Sequence, residues 1–181
     1  FDFIFAFISL TILLPIILFC WLLAAIATSS NGLFLQERIG KFGKPFVIYK
    51  LRTMHAKTRN VSKVGAFFRN YKLDELPQLL NVLLGTISMV GPRPDIAGYY
   101  DKLAGESRKI LELKPGLTSE AAIKYANEEQ VLAKQENPLQ YNDTMIFPDK
   151  VKMNLDYYYN HSFLGDLQLI FKTMKSLLVK S

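Results

Sequence analysis

Phe3–Thr28 reads FIFAFISLTILLPIILFCWLLAAIAT and carries no charged side chain. About 20 apolar residues in a helix suffice to cross a bilayer's hydrocarbon core, so this stretch separates a membrane anchor from the polar remainder. A cleaved signal peptide has a basic flank ahead of a shorter apolar core. Asp2 is the only charge before Glu37 here, so retention is expected. Pro15 removes one helical hydrogen bond and crowds the preceding turn. Two arrangements are open: a kinked spanning helix, or a helix–break–helix that enters and leaves on one face. In the second, Ser9 and Thr11 could bond carbonyls freed at the break. The basic residues after the segment assign that side to the cytoplasm.

The rest of the 181 residues suffices for one domain. The expected organisation is an anchor over 1–30 and a domain over 31–181. A net charge of +6 and a pI near 9.3 favour an anionic partner: nucleic acid, anionic lipid or a phosphorylated substrate. The anchor and the lack of any RNP-like or zinc-finger motif argue against nucleic acid. Cys20 is the single cysteine, so no intrachain disulfide is possible, which fits a reducing compartment. His55 and His161 have no metal-type spacing with any cysteine and are read as surface or structural residues, with no zinc site expected. No Walker loop, Rossmann fingerprint or nucleophile elbow is present.

Past the anchor, Ser29-Ser30-Asn31-Gly32 signals a loop. Leu33–Arg38 and Pro45–Arg52 predict two strands of a hairpin turning through Gly40–Lys44. Val64, Phe67, Phe68 and Tyr71 recur at helical spacing among Lys63, Arg69 and Lys72, which predicts a basic amphipathic helix from Ser62. Further helices are expected over Asp74–Leu84, Ile96–Leu113, Ser119–Gln135 and Pro148–Tyr159, with a loop over Glu136–Phe147. A basic amphipathic tail over Gly165–Lys180 has Leu167, Ile170, Phe171, Met174, Leu177 and Leu178 on one face. The fold class is therefore α+β, mainly α.

Between Gln36 and Leu73 stand ten Lys or Arg and one acid, Glu37. Asp74 and Glu75 close this basic stretch. Acids in a first helical turn offset its dipole, and that alone would account for the pair. Near Arg69 and Lys72, however, a carboxylate stays ionised and can hold Mg²⁺ or attack phosphorus. Lys50, Arg52, Arg69 and Arg93 are candidate phosphate ligands, Arg through its planar fork and Lys as a point charge. On a strand, Lys50 and Arg52 share a face. Arg93, between Pro92 and Pro94, has little local freedom, which suits preorganised charge stabilisation.

Four motifs follow in order: Tyr49-Lys50-Leu51-Arg52-Thr53-Met54, Leu73-Asp74-Glu75-Leu76-Pro77-Gln78-Leu79, Gly91-Pro92-Arg93-Pro94 and Lys114-Pro115-Gly116-Leu117-Thr118. Together they resemble the bacterial sugar transferase family, the monotopic polyprenol-phosphate phosphoglycosyl transferases. The resemblance covers nearly the whole chain. It implies a re-entrant anchor broken at Pro15 and a compact catalytic domain with interfacial helices on the cytoplasmic face of the bacterial inner membrane. It also implies transfer of a sugar-1-phosphate from a UDP-sugar to undecaprenyl phosphate, with UMP released, as a first membrane step in glycoconjugate assembly. Asp74 would be the nucleophile of a ping-pong reaction, with Glu75 beside it, Mg²⁺ on the pair, and Lys50, Arg52, Arg69, Arg93 and Pro94 around the substrate. A homo-oligomer is compatible with this reading. The competing expectation is a non-catalytic, membrane-tethered protein that binds anionic lipid or a phosphorylated ligand.

The chain departs from the family pattern in several places. Leu14 precedes Pro15 where Ser is usual, and the loop between Met54 and Val61 is short. No Arg follows Arg108, which leaves Lys124 as the candidate substitute for a later family Arg. Asn154 stands where an acid is common, with Asp156 two residues out of register.

Overall fold

The structure, a computed structural model, describes residues 1–178. Among them the secondary structure is mainly helical, with two small two-stranded sheets. The order is α1 (Asp2–Thr28), β1 (Leu33–Ile39), β2 (Pro45–Leu51), α2 (Lys63–Asn70), α3 (Gln78–Leu83), β3 (Ser88–Val90), β4 (Gly116–Thr118), α4 (Glu120–Lys124), α5 (Glu128–Leu132), α6 (Pro138–Tyr141), α7 (Phe147–Asn160) and α8 (Phe163–Leu178). Two compact units form. Of the described residues, the first holds 1–38, 45–88 and 177–178; the second holds 39–44 and 89–176.

In the first unit α1 packs on α2, α3 and β2. Its buried positions, Ile17, Cys20, Ala24 and Thr28, lie at helical spacing in its C-terminal half, with Ala6 further up. Cys20 and Ala24 meet Leu51 and Phe68, and Leu23, Val64 and Leu73 close the cluster. The rest of α1 is lined with exposed Phe, Ile and Leu side chains. The helix runs through Pro15 without interruption, so the expected helix–break–helix is one helix over residues 2–28. Thr11 donates its hydroxyl to Phe7 O at 2.8 Å, one turn before the Thr11 carbonyl that Pro15 leaves without its helical donor.

The exit from α1 is tightly tied. Ser29 adopts a left-handed conformation, and Thr28 Oγ1 donates to Ala24 O at 2.7 Å. Trp21 Nε1 donates to Asn31 O at 2.7 Å, fastening the reversal to the helix. The β1–β2 hairpin forms as its sequence predicts. Ser62 caps α2, its hydroxyl accepting from Gly65 N at 2.9 Å. Only Phe68 of the predicted aromatic stripe is buried; Phe67 and Tyr71 face outward.

The second unit is built on Ile39, Tyr100, Ile110 and Leu111, against which Leu103, Phe147, Val151 and Leu155 pack. Asn154 Nδ2 donates to Tyr100 OH at 2.7 Å inside this core. The helix expected over Ile96–Leu113 is instead two 3₁₀ pieces, Tyr100–Lys102 and Gly105–Glu112. Gly98 and Gly105 take φ of 105° and 57°, which no α-helix accommodates. The loop expected over Glu136–Phe147 is largely helical: Asn137 caps α6, and a π-turn over Asn142–Ile146 leads into α7. Asn137 followed by Pro138 is a helix-starting pair, a cap and a residue preset for the first turn. Ser119–Gln135 divides into α4 and α5 around Tyr125–Asn127. On α8 the predicted apolar face splits: Ile170 is buried, whereas Phe171 and Met174 are exposed. Lys180 lies outside the described residues.

Candidate active site

The acidic pair does not sit in a regular helix. Leu73–Glu75 is a 3₁₀ turn, and α3 begins only at Gln78, after Pro77. Lys72 enters that turn with φ 56°, a conformation that costs a non-glycine residue about 1–2 kcal/mol. The strained entrance sets Asp74 inward and leaves it only 8 % exposed. Its Oδ1 is buried and has no hydrogen-bond partner among the described residues.

Glu75 faces β2. Lys50 Nζ lies 3.0 Å from Glu75 Oε1, and both side chains are largely buried. Asn81 holds this register from α3: its Nδ2 donates to Val47 O at 2.7 Å, and its Oδ1 accepts from Tyr49 N at 3.0 Å. Asn81 is 1 % exposed, so both bonds form away from water. Arg69 Nε donates to Thr53 Oγ1 at 3.0 Å. Gly65 permits that approach, because a Cβ there would fall 2.0 Å from Thr53 O. Arg52 lies just past β2, where Nε donates to Leu33 O at 3.3 Å and its guanidinium covers the Phe34 ring.

Burial pushes the Asp74 carboxyl up to about 6; the neighbouring Glu75 charge adds to the rise, and Lys50 and Lys72 oppose it. At pH 7 most of the group is still ionised, yet it is poorly solvated, a state that favours nucleophilic attack. Among the described residues no cluster of three or more His, Cys, Asp or Glu exists. Mg²⁺ is commonly held by one or two carboxylates plus substrate phosphates and water. Asp74 and Glu75, with an open Asp74 oxygen, fit that partial donor set.

In the second unit two of the sequence motifs lock together. Gly91 N donates to Thr118 O and Gly116 N to Pro92 O, both at 2.9 Å. A Cβ on Gly116 would lie 2.1 Å from Gly91 N, so only glycine permits this backbone contact. Pro92 is buried, and Arg93 and Pro94, half-buried, emerge from that clasp. Lys124 pairs with Asp149 at 2.7 Å.

A family model described as "Bacterial sugar transferase" matches residues 1–180. The chain belongs to the bacterial sugar transferase family. A Bacillus subtilis relative, provisionally named an undecaprenyl-phosphate N-acetylgalactosaminyl 1-phosphate transferase, is 41 % identical over 58 % of this chain and 65 % of its own length. UDP-glucose:undecaprenyl-phosphate glucose-1-phosphate transferases of Caulobacter vibrioides and Escherichia coli are each 32 % identical, over 91 % and 96 % of the chain. The chain spans 63 % and 38 % of those two relatives.

Within this member of the family the structure joins Lys50, Glu75 and Asp74 in the first unit, with Arg69 tied to Thr53 just past β2. Arg93 and Pro94 belong to the second unit. The sequence pointed to Lys72 as a cation near the acidic pair but to no role for Gln78 or Asn81. Gln78 is buried and its Nε2 is unpartnered, like Asp74 Oδ1. Its place in the Asp-Glu-Leu-Pro-Gln motif was the available signal. Asn81 gave none, since its β2 partners are backbone groups more than thirty residues away.

Proposed function

We propose that this chain is a phosphoglycosyl transferase that moves a sugar-1-phosphate from a UDP-sugar to a polyprenol phosphate and releases UMP. An Asp74 carboxylate oxygen attacks the sugar-bearing phosphorus. The bond from that phosphorus to the bridging oxygen breaks, UMP leaves with the oxygen, and an acyl phosphate joins Asp74 to the phosphosugar. A phosphate oxygen of the polyprenol phosphate then attacks the same phosphorus, expels the carboxylate and forms the polyprenyl diphosphosugar. Lys50 holds Glu75 in place, and Arg69 and Arg52 of the same unit offset phosphate charge. Asp74 and Glu75 would hold Mg²⁺, which when bound neutralises charge on the transferring phosphoryl group.

The observation that carries this reading is the buried, unpartnered Asp74 oxygen beside the Lys50–Glu75 pair. The relatives' names give the substrate classes. Location follows from α1: its exposed apolar flank calls for lipid, and its C-terminal half packs on its own unit. We place α1 within one leaflet, bent at Pro15, with the catalytic domain from residue 31 on the cytoplasmic face of the inner membrane.

The test omits the acceptor. After incubation of the full chain with a panel of UDP-sugars, mass spectrometry should find a phosphosugar on the peptide carrying Asp74, with stoichiometric UMP. Asp74→Asn should give neither, and turnover should fall at least about a thousandfold. Retention of most activity by that variant would refute the nucleophile assignment.

A further inference from the structure

The first unit contains a pocket of about 460 Å³ that the phosphoryl chemistry does not use. Phe19 and Leu23 of α1 form one wall, and Val64 and Phe67 of α2 the other. Leu73 borders it too, with Lys63 as the one charged lining residue. The volume is that of a small-molecule site, and an apolar lining of this kind holds water poorly.

We propose that this pocket seats the first prenyl units of the acceptor lipid, an inference that rests on the transferase reading above. Leu73 lines the pocket and is bonded directly to Asp74. An acceptor whose phosphate reaches a phosphosugar on Asp74 therefore brings its first carbons to Leu73. The pocket is not enclosed, and α1 carries further exposed apolar side chains at Ile16, Leu22 and Ile26. That flank gives the remaining chain an apolar exit into hydrocarbon. The single charged lining group is a cation, a sign compatible with an anionic lipid head.

The acceptor-free UMP burst of the unmodified chain is the control: if it is absent, the transferase reading itself has failed. Given the burst, Val64→Trp, which fills the pocket, should raise KM for undecaprenyl phosphate about tenfold, the equivalent of about 1.4 kcal/mol or roughly two buried methylenes. Its preference for undecaprenyl over farnesyl phosphate should also narrow. An unchanged acceptor KM overturns the proposal. A second measurement needs no variant. Farnesyl phosphate bearing a diazirine on its first isoprene should label residues 19–23 or 63–68 of the unmodified chain, and undecaprenyl phosphate should compete it away. Labelling elsewhere, or competition by phospholipid vesicles alone at matched lipid, overturns the assignment and gives the pocket to bulk acyl chains.

Discussion

At Asp74 the fold works against its own stability. The folded-state pKa, about 6, lies above the ordinary carboxylate value, so folding disfavours the ionised form. This penalty is absent below about pH 4, grows as pH rises towards 6, and is complete above it. Asp74→Asn removes it, so that variant should be more stable at pH 7 by on the order of 1–3 kcal/mol and gain nothing at pH 4. Thermal unfolding at the two pH values checks this. For the same reason phosphosugar transfer should fall as pH drops through about 6, where the nucleophile takes a proton. Lys72 separates strain from charge. Lys72→Gly relieves the left-handed backbone, stabilising by about 1 kcal/mol, but removes a cation that lowers the Asp74 pKa. Its pH–rate limb should move upward while its unfolding temperature rises; a downward shift of the limb would contradict the electrostatic assignment.

Among the elements, α3 matters most for what it holds. Asn81 binds β2 through two buried hydrogen bonds, and β2 carries Lys50 to Glu75. Asn81→Ala leaves a buried amide and a buried carbonyl unpaired, at a cost of about 2–4 kcal/mol. The displaced Lys50 should also raise KM for the UDP-sugar, which steady-state UMP release would measure. The sequence made the hairpin, α2 and α7 legible because their apolar spacing and turn residues are local signals. It did not reveal the broken stretch from Ile96 to Leu113, whose hydrophobic spacing is helical while its glycines need positive φ. Asp74 and Glu75 were legible as a charged pair closing a basic run, but their inward setting depends on the left-handed Lys72 and the 3₁₀ turn, which periodicity cannot register. The pairing of β3 with β4 was equally hidden, because strands of three residues leave too short a pattern to read.

For the whole molecule, the distribution of apolar surface governs behaviour. α1 exposes bulky side chains along most of its length, and α8 adds Phe163, Leu164, Phe171 and Met174. Such a chain should require detergent or lipid to stay dispersed. If α1 enters and leaves one leaflet, an Asp2→Cys substitution in a Cys20→Ser background should react with an impermeant maleimide only from the cytoplasmic side. Reaction from the opposite side would make α1 a spanning helix. The anchor was legible from composition alone, whereas the docking of its C-terminal half on α2 and α3 depends on partners distant in sequence. Trp21 adds an intrinsic reporter. It is the only tryptophan in the sequence, and its indole is fastened to Asn31 at the exit from α1. All indole emission from this polypeptide therefore comes from a single place. Brominated lipids carrying the quencher at graded depths would read how far that exit lies below the headgroups, without any label being added.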